Sequence, residues 1–117
     1  MKKNTLALIM LLLLSGFNSI AQSKTQSATI KTKTYCDHCK ECETCKARIE
    51  HELNFTKGIK SFALDVEKQQ IRVTYLTSKT NINTIRDAIN KAGYDADDKI
   101  ADAKYVSKLD ECCKKSE

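Results

Sequence analysis

The chain has 117 residues, of which 30% are charged, and its formal net charge is +5. Basic and acidic residues are mixed along the sequence, without the stripe of Lys and Arg with interleaved aromatic residues that is typical of nucleic-acid-binding proteins. A chain of this length holds one domain with a modest hydrophobic core.

The first 21 residues have the order of a secretory signal peptide. A basic start is followed by an apolar run over 6–17, and Ser19-Ile20-Ala21 then places small residues before a cleavage site at Gln22. The run is about 12 residues, whereas a spanning helix needs roughly 20, which makes a retained membrane anchor the weaker interpretation. Cleavage leaves 18 of the 20 basic residues against 15 acidic ones, a net charge of +3. The sequence therefore predicts secretion across the inner membrane and a periplasmic protein.

Two short elements and a cysteine-bearing loop are predicted next. The polar residues 22–27 indicate a flexible leader, and the alternation of β-branched residues with lysine over 28–34 predicts a half-buried strand. Residues 35–43 have no apolar period, which indicates a loop. Apolar residues at i, i+4 and i+8 then predict a short helix over 44–53, with its charged side chains in solvent.

The second half of the chain predicts a hairpin, a helix and a final strand. Period-two apolar residues favour strands over 59–66 and 71–75. A helix follows, N-capped by Thr80 or Asn81 and ended by Gly93. Residues 94–101 indicate a weak strand, and 102–113 a short tail helix. The order predicts an α+β, ferredoxin-like βαββαβ sandwich, with two helices on one face of a four-stranded antiparallel sheet.

The cysteines are the most informative residues of this chain. Cys36, Cys39, Cys42 and Cys45 follow one another at three-residue intervals, and Cys112 and Cys113 are adjacent. A disulfide framework needs cysteines spread over the sequence, so that each bridge closes a long loop. Thiolates at C-x-x-C spacing instead favour soft ions such as Cu(I), Zn(II) and Hg(II). The start of the predicted helix would further favour the thiolate form of Cys45.

Four segments of this sequence resemble the heavy-metal-associated (HMA) domain family, which includes copper chaperones, N-terminal modules of metal-pumping ATPases and the periplasmic mercury-binding protein. They are C-E-T-C-K-A-R-I-E-H-E-L (42–53), K-G-I-K-S-F-A-L-D-V (57–66), I-R-V-T-Y (71–75) and I-R-D-A-I-N-K-A-G-Y-D-A (85–96). The resemblance covers about 28–102 and leaves 103–117 as a tail.

The resemblance implies which residues bind metal. In the family, two cysteines on the first strand–helix loop are the ligands, which implies Cys42 and Cys45, and the aromatic residue of the Gly-Tyr turn lies near the metal, which implies Tyr94. The chain departs from the family pattern at Lys40, where relatives usually carry Met. Counting forward from the first strand would select Cys36 and Cys39 instead, so the dominant pair stays open. All four sulfurs together would make a tetrahedral Zn(II) site.

The sequence also offers candidate ligands outside this pair. Candidate auxiliary ligands are His38, which lies within the cysteine loop, and the tail residues Cys112 and Cys113. A tail helix of about ten residues spans roughly 15 Å, which is enough to bring the two tail cysteines back towards the loop. The predicted function is non-enzymatic: the protein would bind a soft metal ion outside the cytoplasm and pass it, as a monomer or a metal-bridged dimer, to a membrane metal transporter or efflux ATPase.

The alternative from another class is a thiol–disulfide redox protein using the C-x-x-C pairs. The absence of proline argues against it, because thioredoxin-like enzymes use a cis-proline. A purely structural zinc site is a third reading. An iron–sulfur cluster is disfavoured because the ferredoxin run ends C-x-x-x-C-P, which this chain lacks.

Overall fold

The structure is a computed structural model that describes residues 24–35 and 44–114, with only the backbone for Cys112. Its elements are β1 (Thr25–Lys31), α1 (Thr44–Asn54), β2 (Ile59–Asp65), β3 (Gln70–Leu76), α2 (Ile82–Lys91), α3 (Ala103–Val106) and a 3-10 turn (Glu111–Cys113). The predicted signal peptide (1–21) lies outside the described residues. None of the described helices has the length and apolar character that a membrane span requires.

The described strands form one three-stranded antiparallel sheet in the order β1-β3-β2. β1 begins at Thr25, so part of the segment assigned to the leader from sequence belongs to the sheet. The turn between β2 and β3 lacks the Asn-Gly pair of tight hairpins. The Asp65 carboxylate closes it by accepting from the Lys68 N–H at 3.0 Å, and Gln69 adopts φ 51°.

The core lies between the sheet and the two longer helices. α1 and α2 contact each other and cover one face of the sheet. Side chains along β3 alternate between that buried face and solvent, so Arg72 is exposed between two buried residues. The largest aliphatic side chains of this core are Ile30, Ile49, Leu53, Ile71, Val73, Ile85 and Ile89. α2 begins as predicted, with the Asn81 side chain accepting from the Thr84 N–H at 3.0 Å.

The predicted fourth strand over 94–101 is absent from the described residues, which corrects the four-stranded sheet expected from sequence. The segment is a turn with one isolated bridge between Ala96 and Lys99. Asp97 adopts φ 52°, and its carboxylate accepts from the Lys31 N–H at 2.9 Å at the end of β1. The Asp95 carboxylate accepts from the Ala101 N–H at 2.8 Å in the same way. In this turn, side-chain carboxylates therefore accept hydrogen bonds from backbone N–H groups that would donate to backbone carbonyl groups in a sheet.

The predicted tail helix is shorter than expected and is broken in two. The Asp102 side chain caps α3 by accepting from the Lys104 N–H at 3.0 Å. α3 ends after one turn, and the chain continues to the 3-10 turn at Glu111–Cys113. This break turns the tail back onto the domain.

Candidate metal-binding site

Cys45 lies in the first turn of α1, where the dipole of the helix gives a partial positive charge. Ile49 and Leu53 follow it on the same side of the helix, as the spacing predicts, and all three side chains are buried. Cys45 is 1% exposed. The thiol that the sequence placed at the start of a helix is therefore part of the core.

Cys113, in the 3-10 turn of the tail, meets Cys45 there. The two sulfur atoms are 3.1 Å apart, in a buried contact between residues 68 positions apart in sequence, with the Cys45 thiol donating. Cys113 is 0% exposed. A disulfide would bring the sulfurs to about 2.05 Å, so the pair is a dithiol contact.

Tyr94 is the third group at this point. Its side chain is 1% exposed, and its hydroxyl makes no hydrogen bond of ordinary geometry to any described residue. Burial raises the pKa of Tyr94 far above its usual value, and the adjacent Cys45 and Cys113 side chains raise it further. The hydroxyl therefore stays protonated and can donate a hydrogen bond to a sulfur atom.

The tail is held in place by contacts on both sides of this group. Arg48, one helical turn after Cys45, donates from Nη2 to the Lys108 carbonyl at 2.8 Å. Leu109 is 5% exposed and packs on Gly93, where an added Cβ would lie 2.8 Å from Leu109 Cδ2. Gly93 has φ 102°, a conformation that favours glycine.

The structure brings together part of the residue set predicted from sequence. Cys45, Tyr94 and Cys113 adjoin one another, whereas Cys36, Cys39, Cys42 and His38 lie outside the described residues, as does the side chain of Cys112. Within residues 24–35 and 44–114, no three His, Cys, Asp or Glu side chains gather in a metal-binding arrangement.

Sequence reasoning missed the role of Arg48, which it assigned to solvent with the other charged residues of α1. Its Nε is buried and has no hydrogen-bond partner within the described part of the chain, and its Nη2 binds the tail. Nothing in the helix pattern distinguishes Arg48 from its neighbours. The adjacent cysteines of the tail were the only signal that this segment returns to α1.

Taken together, a three-stranded sheet under two helices, with a C-x-x-C pair ending at the start of the first helix, defines a small thiol-bearing binding module. The model of the heavy-metal-associated domain matches residues 41–95. The copper chaperone CopZ of Staphylococcus aureus is 37% identical over 54 residues, which are 46% of this chain and 79% of CopZ. This chain belongs to the heavy-metal-associated domain family, and it is a binding module rather than an enzyme.

Further relatives agree with this assignment. A copper-exporting P-type ATPase of Staphylococcus haemolyticus is 36% identical over 58 residues, which are 50% of this chain but only 7% of the ATPase. A solved structure of a CopZ metallochaperone superposes with a TM-score of 0.53 at 28% identity, covering 61% of this chain and 98% of the chaperone. Oxidized MerP from Ralstonia metallidurans CH34 shares the fold, with a TM-score of 0.54 at 22% identity over 62% of this chain and 94% of MerP.

Proposed function

We propose that this protein binds one soft metal ion through Cys42 and Cys45 and transfers it to a membrane metal transporter. The match of the family model carries the proposal, because it begins at residue 41 and so includes this C-x-x-C pair but not Cys36 and Cys39. Cu(I) is the preferred ion, since the relatives that match are named as a copper chaperone and a copper-exporting ATPase. Hg(II) and Zn(II) are the other thiophilic candidates.

Transfer proceeds by ligand exchange in this proposal. A thiolate of the acceptor adds to the bound ion before a resident thiolate leaves, so the ion is never released to water. The position of Cys45 at the start of α1 supports binding, because the helix dipole stabilises a thiolate there. The acceptor is an efflux ATPase or related transporter, and the donor protein acts as a monomer.

The proposed site of action is the periplasm. The basic start, the short apolar run and Ser19-Ile20-Ala21 support export and cleavage before Gln22. The intact mass of the protein purified from the periplasm of an expressing bacterium tests this, because cleavage removes residues 1–21. A full-length mass in the membrane fraction would contradict it.

Native mass spectrometry of the exported, fully reduced protein tests the binding function. Titration with Cu(I), Zn(II) and Hg(II) should show one tightly bound ion. Cys42→Ser/Cys45→Ser should lose it, and the matched variant Cys36→Ser/Cys39→Ser should keep it. Absence of uptake of all three ions by the unaltered protein would refute the proposal, and reduction of a disulfide substrate by the same sample would favour the redox alternative.

A further inference from the structure

The proposed function does not explain the C-terminal tail, although the tail packs on the core of the domain. Leu109 and Cys113 are both buried in the core, and the Lys108 carbonyl accepts from Arg48 at 2.8 Å. The family model ends at residue 95, so this segment lies beyond the family module. The tail therefore brings to the site a group that the matched module does not contain.

That group is the Cys113 thiol. Two cysteines 68 positions apart place their sulfurs 3.1 Å from each other inside the core. The Tyr94 hydroxyl is buried beside both sulfurs and makes no ordinary hydrogen bond to a described residue. A protonated hydroxyl beside two sulfur atoms is placed to donate a hydrogen bond to either of them.

From this contact we infer that Cys113 is a metal ligand, and that the tail closes over the ion by sharing it with Cys45. This inference rests on the proposed function, since Cys45 belongs to the proposed pair, and it adds a ligand from outside the C-x-x-C motif. Tyr94 would donate a hydrogen bond to a coordinated thiolate, a type of outer contact that orients metal ligands.

The sulfur spacing indicates which coordination the pair fits. With metal–sulfur distances of about 2.3 Å, two thiolates are separated by about 3.8 Å in a tetrahedral site and by about 4.6 Å in a linear one. From 3.1 Å, each sulfur moves by about 0.3 Å to reach the first arrangement and by about 0.75 Å to reach the second. The pair therefore fits a bent site more closely than a linear two-coordinate one.

The sulfur coordination number of the Cu(I)-loaded protein tests this inference. The exported, reduced protein receives one equivalent of Cu(I), X-ray absorption counts the sulfur ligands, and competition with a chromophoric Cu(I) chelator gives the affinity. Cys113→Ser should remove one sulfur ligand and weaken Cu(I) binding by more than about tenfold. Loss of a residue that only hydrogen-bonds to a metal ligand already weakens binding by about tenfold or more, and loss of a ligand itself should weaken it further. Asp110→Ser, a control at an exposed position of the same tail whose side chain makes no capping hydrogen bond, should change neither.

A direct measurement on the unaltered protein covers the case in which Cys113→Ser undocks the tail. Loading with ¹¹³Cd(II), another thiophilic ion, should give ¹H–¹¹³Cd correlations to the β-protons of both Cys45 and Cys113. A correlation to Cys45 without one to Cys113, or equal Cu(I) affinities of the unaltered protein and Cys113→Ser, would overturn the inference while leaving the proposed function intact. No uptake of either ion would instead refute the proposed function itself.

Discussion

Replacing Gly93 by alanine should both destabilise the fold and release the tail. The backbone at Gly93 has φ 102°, where an L-residue costs about 1–2 kcal/mol. The new Cβ would also lie 2.8 Å from Cδ2 and 2.9 Å from Cγ of Leu109, whose buried side chain has little room to move. Overpacking of this kind costs about 1–3 kcal/mol, so the free energy of unfolding should fall by roughly 2–5 kcal/mol.

Urea unfolding measures the stability change, and mass spectrometry of iodoacetamide-treated protein measures how fast Cys113 becomes accessible. Gly58→Ala is a matched control, because Gly58 also has a positive φ of 88° and its added Cβ would meet Lys79 Cβ at 2.8 Å rather than the tail. Both variants should lose stability, but only Gly93→Ala should accelerate alkylation of Cys113 beyond what global unfolding explains.

A double-mutant cycle separates the two causes of destabilisation at Gly93. Leu109→Ala alone removes a buried side chain and should cost about 2–5 kcal/mol. Leu109→Ala also removes the atoms that the new Cβ of Gly93→Ala would meet. The double variant should therefore lose less unfolding free energy than the sum of the two single losses, by about 1 kcal/mol or more. Strict additivity, or a Gly93→Ala cost below about 0.5 kcal/mol, would refute the packing of the tail on Gly93.

Three further changes test other parts of the structure. Asp97→Ala should lower the free energy of unfolding in urea by about 2 kcal/mol, because the partly buried Asp97 carboxylate accepts from Arg86 Nε at 3.0 Å. Asp97→Asn should lower it by less, and equal losses of stability would contradict the role of the charge. Tyr94→Phe should change the free energy of unfolding of the metal-free protein by less than about 1 kcal/mol, since the hydroxyl lacks an ordinary partner among the described residues. The same variant should bind Cu(I) about tenfold more weakly in the chelator competition. Unchanged binding would count against the hydrogen bond to a thiolate. Oxidised glutathione should join Cys45 to Cys113 in a disulfide while it is itself reduced to two glutathione molecules. Peptide maps without reduction should show this cross-link, which should stabilise the fold by about 4 kcal/mol because it closes a long loop. A map without the cross-link would disprove the contact.

Periodicity predicted the regular elements well because their burial is one-sided. Ile49 and Leu53 follow Cys45 at helical spacing, and the helix they predict begins at Thr44 as observed. Alternation likewise indicated both strands of the hairpin to within a residue or two. These patterns depend on short-range geometry, which a single sequence contains.

The errors arose where side chains replaced backbone pairing. Residues 94–101 contain apolar residues that suggested a strand, but the Asp95 and Asp97 carboxylates bond to backbone N–H groups there. Sequence alone does not indicate which N–H a given carboxylate will take, because the Lys31 partner of Asp97 lies 66 positions away.

Cysteine spacing and the family resemblance indicated Cys45 and Tyr94, and the structure places these two side chains beside each other. Their part in metal binding stays a prediction. The adjacent cysteines of the tail suggested an auxiliary pair, but the contact of Cys113 with Cys45 depends on the break after α3 and on the Arg48 contact, which no periodic pattern contains. The burial of Cys45 likewise depends on this tail contact, which the helix pattern does not contain.

The distance in sequence between the two touching sulfurs has a consequence for biogenesis. A chain is synthesised from its N-terminus, so Cys45 leaves the ribosome well before Cys113, which follows 68 positions later. The contact between the two sulfurs therefore forms only after nearly the whole described chain has been made. If the proposed export and the proposed ligation by Cys113 both hold, the complete binding group first exists at the destination, and the ion is acquired there.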